Sequence, residues 1–180
     1  DQCGLHILVH LAQEGLICFG PRNGKQQTFV LLDEWLQPAK IPEREDALAK
    51  LATIYFRSHG PATVNDFAWW CGLTLSEVKT AIQLAGSMLI EEKVDGLSYW
   101  MSSHAQHAGS SKGVFLLPGF DEYLVAYKDR TAAFDPQFMS QIKASGNGIF
   151  SPPLIVNGRV AGVWKRSVLK GEVILEVNAF

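Results

Sequence analysis

Between residues 43 and 101 the chain is punctuated so closely that only short elements fit, and this spacing constrains the fold more than any other feature. Ala47, Leu48, Leu51, Ala52 and Tyr55 recur every three or four residues and share one face, which predicts a helix over 43–58. Gly60-Pro61 stops it, because glycine accepts the left-handed residue that closes a helix and proline cannot continue the hydrogen-bond ladder. Thr63 opens a second helix with Asp66 three residues on and Phe67, Ala68 and Cys71 on its buried side, and Gly72 ends it. Thr74-Leu-Ser-Glu77 is a capping box, in which the threonine accepts an amide of the new helix while the glutamate reaches back. In this third helix Val78, Ala81, Ile82, Ala85 and Leu89 form an apolar stripe that leaves Ser76, Lys79, Thr80, Gln83 and Ser87 outside. Two strands, 88–94 and 97–101, flank Asp95-Gly96, a pair that accepts the positive φ angles of a type I′ turn. Three helices followed by a hairpin predict a winged helix over residues 43–101.

The end of that unit has an earlier counterpart. Leu11-Ala-Gln-Glu-Gly-Leu-Ile17 aligns with Leu84-Ala-Gly-Ser-Met-Leu-Ile90, 73 residues on, and a strand and a hairpin turn follow each, at Asn23-Gly24 in the first copy. Residues 1–38 therefore read as the last helix and wing of a truncated winged helix, and the chain as the C-terminal portion of a longer protein; a stand-alone helical hairpin cap is the alternative. Residues 33–42, with Pro38 and Pro42, form a connector. Residues 102–112 are small, polar and aperiodic, a linker before a region of different character. In residues 113–180 the expected elements are a strand at 113–117, a turn at Pro118-Gly119 and a short helix within 120–127. Strands at 153–156 and 159–165 around Asn157-Gly158, and a last strand at 172–177, complete it. The expected fold class is α+β: winged helix-turn-helix units followed by a mostly antiparallel β C-terminal domain.

Composition narrows function. With 47% hydrophobic and 19% charged residues the chain can bury a core, and a net charge of −2 argues against a polybasic nucleic-acid binder, so any basic face is local. No apolar run approaches the ~20 residues of a membrane span, and no basic segment precedes an apolar run at the start, so no membrane partner is expected. Cys3, Cys18 and Cys71 are odd in number and lack a Cys-x-x-Cys pair, which fits a reducing cytoplasm better than a disulfide framework or a zinc site.

The motifs Val114-Phe-Leu-Leu-Pro-Gly-Phe-Asp-Glu-Tyr-Leu124, Tyr127-Lys-Asp-Arg130, Asn147-Gly-Ile-Phe-Ser-Pro152 and Asn157-Gly-Arg-Val-Ala-Gly-Val-Trp-Lys-Arg166 occur here in order. Together they resemble the winged-helix DNA-binding family that includes the bacterial AlkZ-type DNA glycosylases. The resemblance implies tandem winged helices, a β-rich C-terminal domain and, in some members, removal of alkylated or crosslinked bases from DNA. It also implies that the glycosylases' Gln-x-Gln catalytic motif would lie upstream. This sequence has no Gln-x-Gln, Gln26-Gln27 being a different spacing, so no catalytic residue carries over.

Duplex DNA is the expected partner. On the third helix of 43–101, Lys79 and Gln83 are candidate contacts, although Glu91, Glu92 and Asp95 put negative charge in the following hairpin. Arg22 and Lys25 bracket the first hairpin turn without an acid beside them. Residues 112–180 carry eight Lys and Arg against six acids, whereas residues 1–111 carry eight against twelve. Within the C-terminal region Arg159, Lys165, Arg166 and Lys170 cluster along a hairpin, and Lys128 and Arg130 lie in a family-like motif; these are the best phosphate-facing set, a solvated strand face being the alternative. Asp121, Glu122 and Asp129 are the carboxylates to weigh for acid–base chemistry, against a helix cap for Asp121 and an ion-pair partner for Asp129. Cys71 is weighed as a nucleophile against a small core residue. His6 with His10, and His104 with His107, have metal-like spacing but no cysteines nearby, and no metal is assigned. No Gly-rich phosphate loop or Ser-His-Asp arrangement is legible, and no cofactor is expected. A protein-interaction or regulatory module is the alternative function, favoured by the acidic balance of residues 1–111.

Overall fold

The structure, a computed structural model, describes residues 2–37, 40–105, 112–142 and 150–180. Pro38, most of the expected linker, His107 and the first three residues of the Asn147 motif lie outside that set. The chain divides into two units, residues 1–42 and 43–180. No helix among the described residues is long and apolar enough to cross a membrane.

The first unit contains helix α1 (Gln2–Gln13), strands β1 (Ile17–Phe19) and β2 (Phe29–Leu31), and one helical turn, α2 (Leu32–Trp35). β1 and β2 pair antiparallel with Cys18 opposite Val30, and the facing rings of Phe19 and Phe29 lie 5.3 Å apart. The turn differs from expectation by one position. Asn23 and Gln26 bridge by two backbone hydrogen bonds, so Gly24 and Lys25 are the central residues, and only Gly24 needs a positive φ, +62°.

The second unit begins with α3 (Arg44–His59), α4 (Val64–Cys71) and α5 (Leu75–Ala85), followed by β3 (Leu89–Val94) and β4 (Leu97–Ser102). Both expected capping boxes are present, Thr63 with Asp66 and Thr74 with Glu77, so each helix starts where its backbone amides first find a side-chain acceptor. The apolar stripes meet in one core, where Ala52, Tyr55, Phe56, Phe67, Val78 and Ala81 are at most 1% exposed. Cys71 is partly buried and packs against this core. Asp95 and Gly96 take φ of +51° and +80°, the signs a type I′ turn requires, and β3 and β4 pair in register from Leu89–Ser102 to Val94–Leu97. The 11–17 and 84–90 segments each pass from a helix end to a strand, with α1 giving way to β1 and α5 to β3.

Beyond β4 lie β5 (Val114–Leu116), α6 (Glu122–Val125), α7 (Met139–Ile142), β6 (Pro153–Val156), β7 (Arg159–Leu169) and β8 (Glu172–Ala179). The four strands form one antiparallel sheet in the order β5-β6-β7-β8. Leu124, Phe134, Ile142, Ile155 and Val160 make a second core under it. Asn157-Gly158 turns β6 into β7, as expected. The sheet also corrects the sequence reading: β7 continues to Leu169, and Lys170-Gly171, with φ of +51° and +86°, forms another tight hairpin into β8. Lys170 therefore sits at a turn tip.

Candidate nucleic-acid interface

The helices of the second unit are joined to the segment after β5 by a few polar side chains that the core holds in place. Asp66, only 3% exposed, is their centre. Its Oδ2 accepts from the Thr63 amide and hydroxyl at 2.9 and 2.7 Å, and its Oδ1 accepts from the backbone amides of Lys128 and Asp129 at 2.9 and 3.1 Å. One carboxylate thus caps a helix and fixes a loop more than sixty residues later. Around it Tyr55 Oη donates to Ala126 O at 3.2 Å, Tyr127 Oη to His59 O at 2.8 Å, and Trp69 Nε1 to Val125 O at 3.1 Å. Burial raises the Tyr55 phenol well above its ordinary value and pushes Tyr127 up to about 12, with the charge of Asp66 adding to both, so both stay protonated donors.

Glu122 is a second junction. It accepts from Trp70 Nε1 at 3.1 Å and contacts His59 Nε2 at 3.2 Å, while His59 Nδ1 lies 2.8 Å from Ser58 Oγ. This Ser-His-Glu row was not legible in sequence. Ser58 Oγ also lies 2.9 Å from Ile54 O and 3.2 Å from Tyr55 O, so carbonyls of its own helix engage the hydroxyl as well as His59 does.

A cleft of about 260 Å³ opens beside these junctions, with His59, Tyr99, Tyr123, Tyr127, Asp129 and Arg130 among its lining residues. Asp129 Oδ1 accepts from the Thr131 amide and hydroxyl at 2.9 and 2.8 Å, which holds its carboxyl below the usual range and makes it a turn former. Arg130 is half-buried, its guanidinium carbon 5.7 Å from the Trp69 ring centre and 5.3 Å from that of Phe150, with Nε donating to Leu124 O at 2.6 Å. Burial draws its pKa below the ordinary value, and the charge of Asp66 opposes that. Asp121 caps α6, accepting from the Tyr123 amide at 2.9 Å.

The remaining candidate cations are exposed. Lys79 and Gln83 stand on the outer face of α5 with Ser76 and Thr80. Lys25 occupies the first hairpin turn, with Arg22 just before it. The Lys128 side chain is exposed although its amide is anchored. Arg159 is exposed at the start of β7, with Nη1 3.4 Å from Ala132 O. Lys165 and Arg166 are consecutive on β7 and so leave the sheet on opposite faces, and Lys165 lies across from Glu176. These two do not form one strip.

Comparison with known proteins fits this architecture. Residues 4–180 match the family described as DNA glycosylase AlkZ-like. The chain belongs to that family. Among curated proteins it is similar to the interstrand DNA cross-link repair glycosylase of Streptomyces sahachiroi, 31% identical over 173 residues that cover 88% of this chain and 45% of the relative. Among solved structures it is similar to the DNA glycosylase AlkZ of the same organism, with a TM-score of 0.77 and 28% identity over 94% of this chain and 47% of that one. The chain thus spans about half the length of the AlkZ-like proteins it matches. Two of the resemblance motifs supply Glu122, Tyr127 and Arg130, whose contacts tie this segment to α3 and α4.

Proposed function

We propose that this chain is a duplex-DNA-binding part of a base-excision protein, in which residues 43–101 act as a winged helix and exposed cations track phosphates. The observation that carries the reading is the family match over residues 4–180. It is supported by the order of three helices, the second and third capped, and a hairpin, which leaves Ser76, Lys79, Thr80 and Gln83 along the outer face of α5. On this reading α5 enters a groove, while Arg22, Lys25, Lys128 and Arg159 neutralise phosphates and release counterions. Base release is proposed for the whole protein, since no Gln-x-Gln occurs in this sequence.

The test is anisotropy of a labelled duplex titrated with the chain at low and moderate salt. Binding that weakens steeply with salt is expected, by about 0.9 in log–log slope per phosphate contact. Absence of binding at low salt, together with salt-insensitive binding to a protein, would instead favour the interaction-module reading that exposed Glu91, Glu92 and Asp95 suggest.

A further inference from the structure

Among the described residues the sheet of the second unit ends on two strands without an outer partner, β5 and β8. β5 is only three residues long, and a short edge strand is a poor template for another chain. β8 lacks that protection. It runs eight residues in unbroken register with β7, contains no proline, lysine or arginine, and is exposed along its whole length. Strand alternation puts Val173, Leu175 and Val177 on one face, and Val168 of β7 lies directly across from Val173. With Ile174 on the other face, these side chains are 39–60% exposed. A long, regular and apolar edge of this kind is a surface for strand addition.

The charges on β8 select what occupies it. When two identical strands pair antiparallel about a two-fold axis, opposed residues share a face, so one residue lies opposite its own copy. Centring on Ile174 sets Glu172 against Glu176 of the second copy, and centring on Glu176 sets that glutamate against itself; both are destabilising like-charge pairs. Centring on Val173 or Val177 shortens the pairing. Centring on Leu175 pairs all of residues 172–178 without opposed like charges: Leu175 meets Leu175, Val173 meets Val177, Ile174 meets Glu176 and Glu172 meets Asn178. Within each copy Lys165 of β7 already lies across from Glu176. We infer that β8 is an interface for a second copy of this chain, the two sheets joining edge to edge, antiparallel, about an axis at Leu175. Such a pair occupies both β8 edges and therefore stops at a dimer. The inference does not depend on duplex binding.

Sedimentation equilibrium of the chain in the micromolar range tests this, and a monomer–dimer equilibrium is expected. Leu175→Glu sets two carboxylates against each other at the axis and is expected to raise the dimer dissociation constant at least about ten-fold. Val173→Lys combined with Val177→Glu creates opposite-charge pairs across the interface in this register alone, so the double variant is expected to dimerise more tightly than either single variant. All three side chains are exposed, so parental circular dichroism is expected, and the double variant serves alone if Leu175→Glu does not fold. A chain that stays monomeric, a dimer that folded Leu175→Glu leaves intact, or a double variant no tighter than its singles would overturn the inference.

Discussion

At the scale of single residues, Asp66 has the most to lose. Its carboxylate takes four hydrogen bonds, from Thr63 twice and from the amides of Lys128 and Asp129, in a site 3% exposed. Asp66→Ala leaves those donors without an acceptor, and urea unfolding is expected to show a loss of about 3 kcal/mol, far beyond an ordinary surface substitution. Glu77 gives a pH-dependent contribution instead. The Thr74 amide and hydroxyl, and then Arg44, hold its carboxyl below the ordinary value of 4.5. A depressed folded pKa means stability present above the unfolded value and lost as pH falls through the folded one. Unfolding midpoints should therefore drop on acidification below about pH 4.5, and Glu77→Gln should be less sensitive to acid over that interval.

Among the elements, the capping boxes and turn pairs explain where helices and hairpins begin, while β7 depends on partners the local pattern does not name. Gly162 pairs with Leu154 on one side and Ala179 on the other, and a Cβ there would stand 2.3 Å from Asn178 O. Gly162→Ala is expected to cost about 2 kcal/mol through strand displacement, against about 1 kcal/mol for Gly96→Ala, whose site is spacious but whose φ is +80°. Thermal unfolding of the two variants side by side checks the order. The first hairpin shows the limit of turn pairs: Asn23-Gly24 predicts a hairpin turn at those two residues, yet Asn23 and Gln26 bridge around Gly24-Lys25, because the bridging pair is set by which backbone groups meet.

For the whole molecule, the proposed duplex surface uses cations on separate elements, so losses should add as phosphate contacts rather than as one site. Arg159→Ala combined with Lys128→Ala is expected to weaken duplex binding across sequences and to flatten its salt dependence by up to about two in log–log slope. Anisotropy at several salt concentrations measures this, and unchanged affinity and slope would remove both residues from the surface. The sequence by itself determined the three helices of residues 43–101, both capping boxes, the Asp95-Gly96 and Asn157-Gly158 turns and the antiparallel character of residues 113–180. These follow from apolar periodicity and backbone preference within a few neighbours. The tertiary structure alone decided that Asp66 also clamps the amides at 128 and 129, that Trp70 and His59 converge on Glu122, that Arg130 stacks on Trp69 and Phe150, and that Lys165 faces Glu176. Each of those meetings joins groups far apart along the chain or across strands, where no local pattern records the partner and only core packing brings donor, acceptor and ring together.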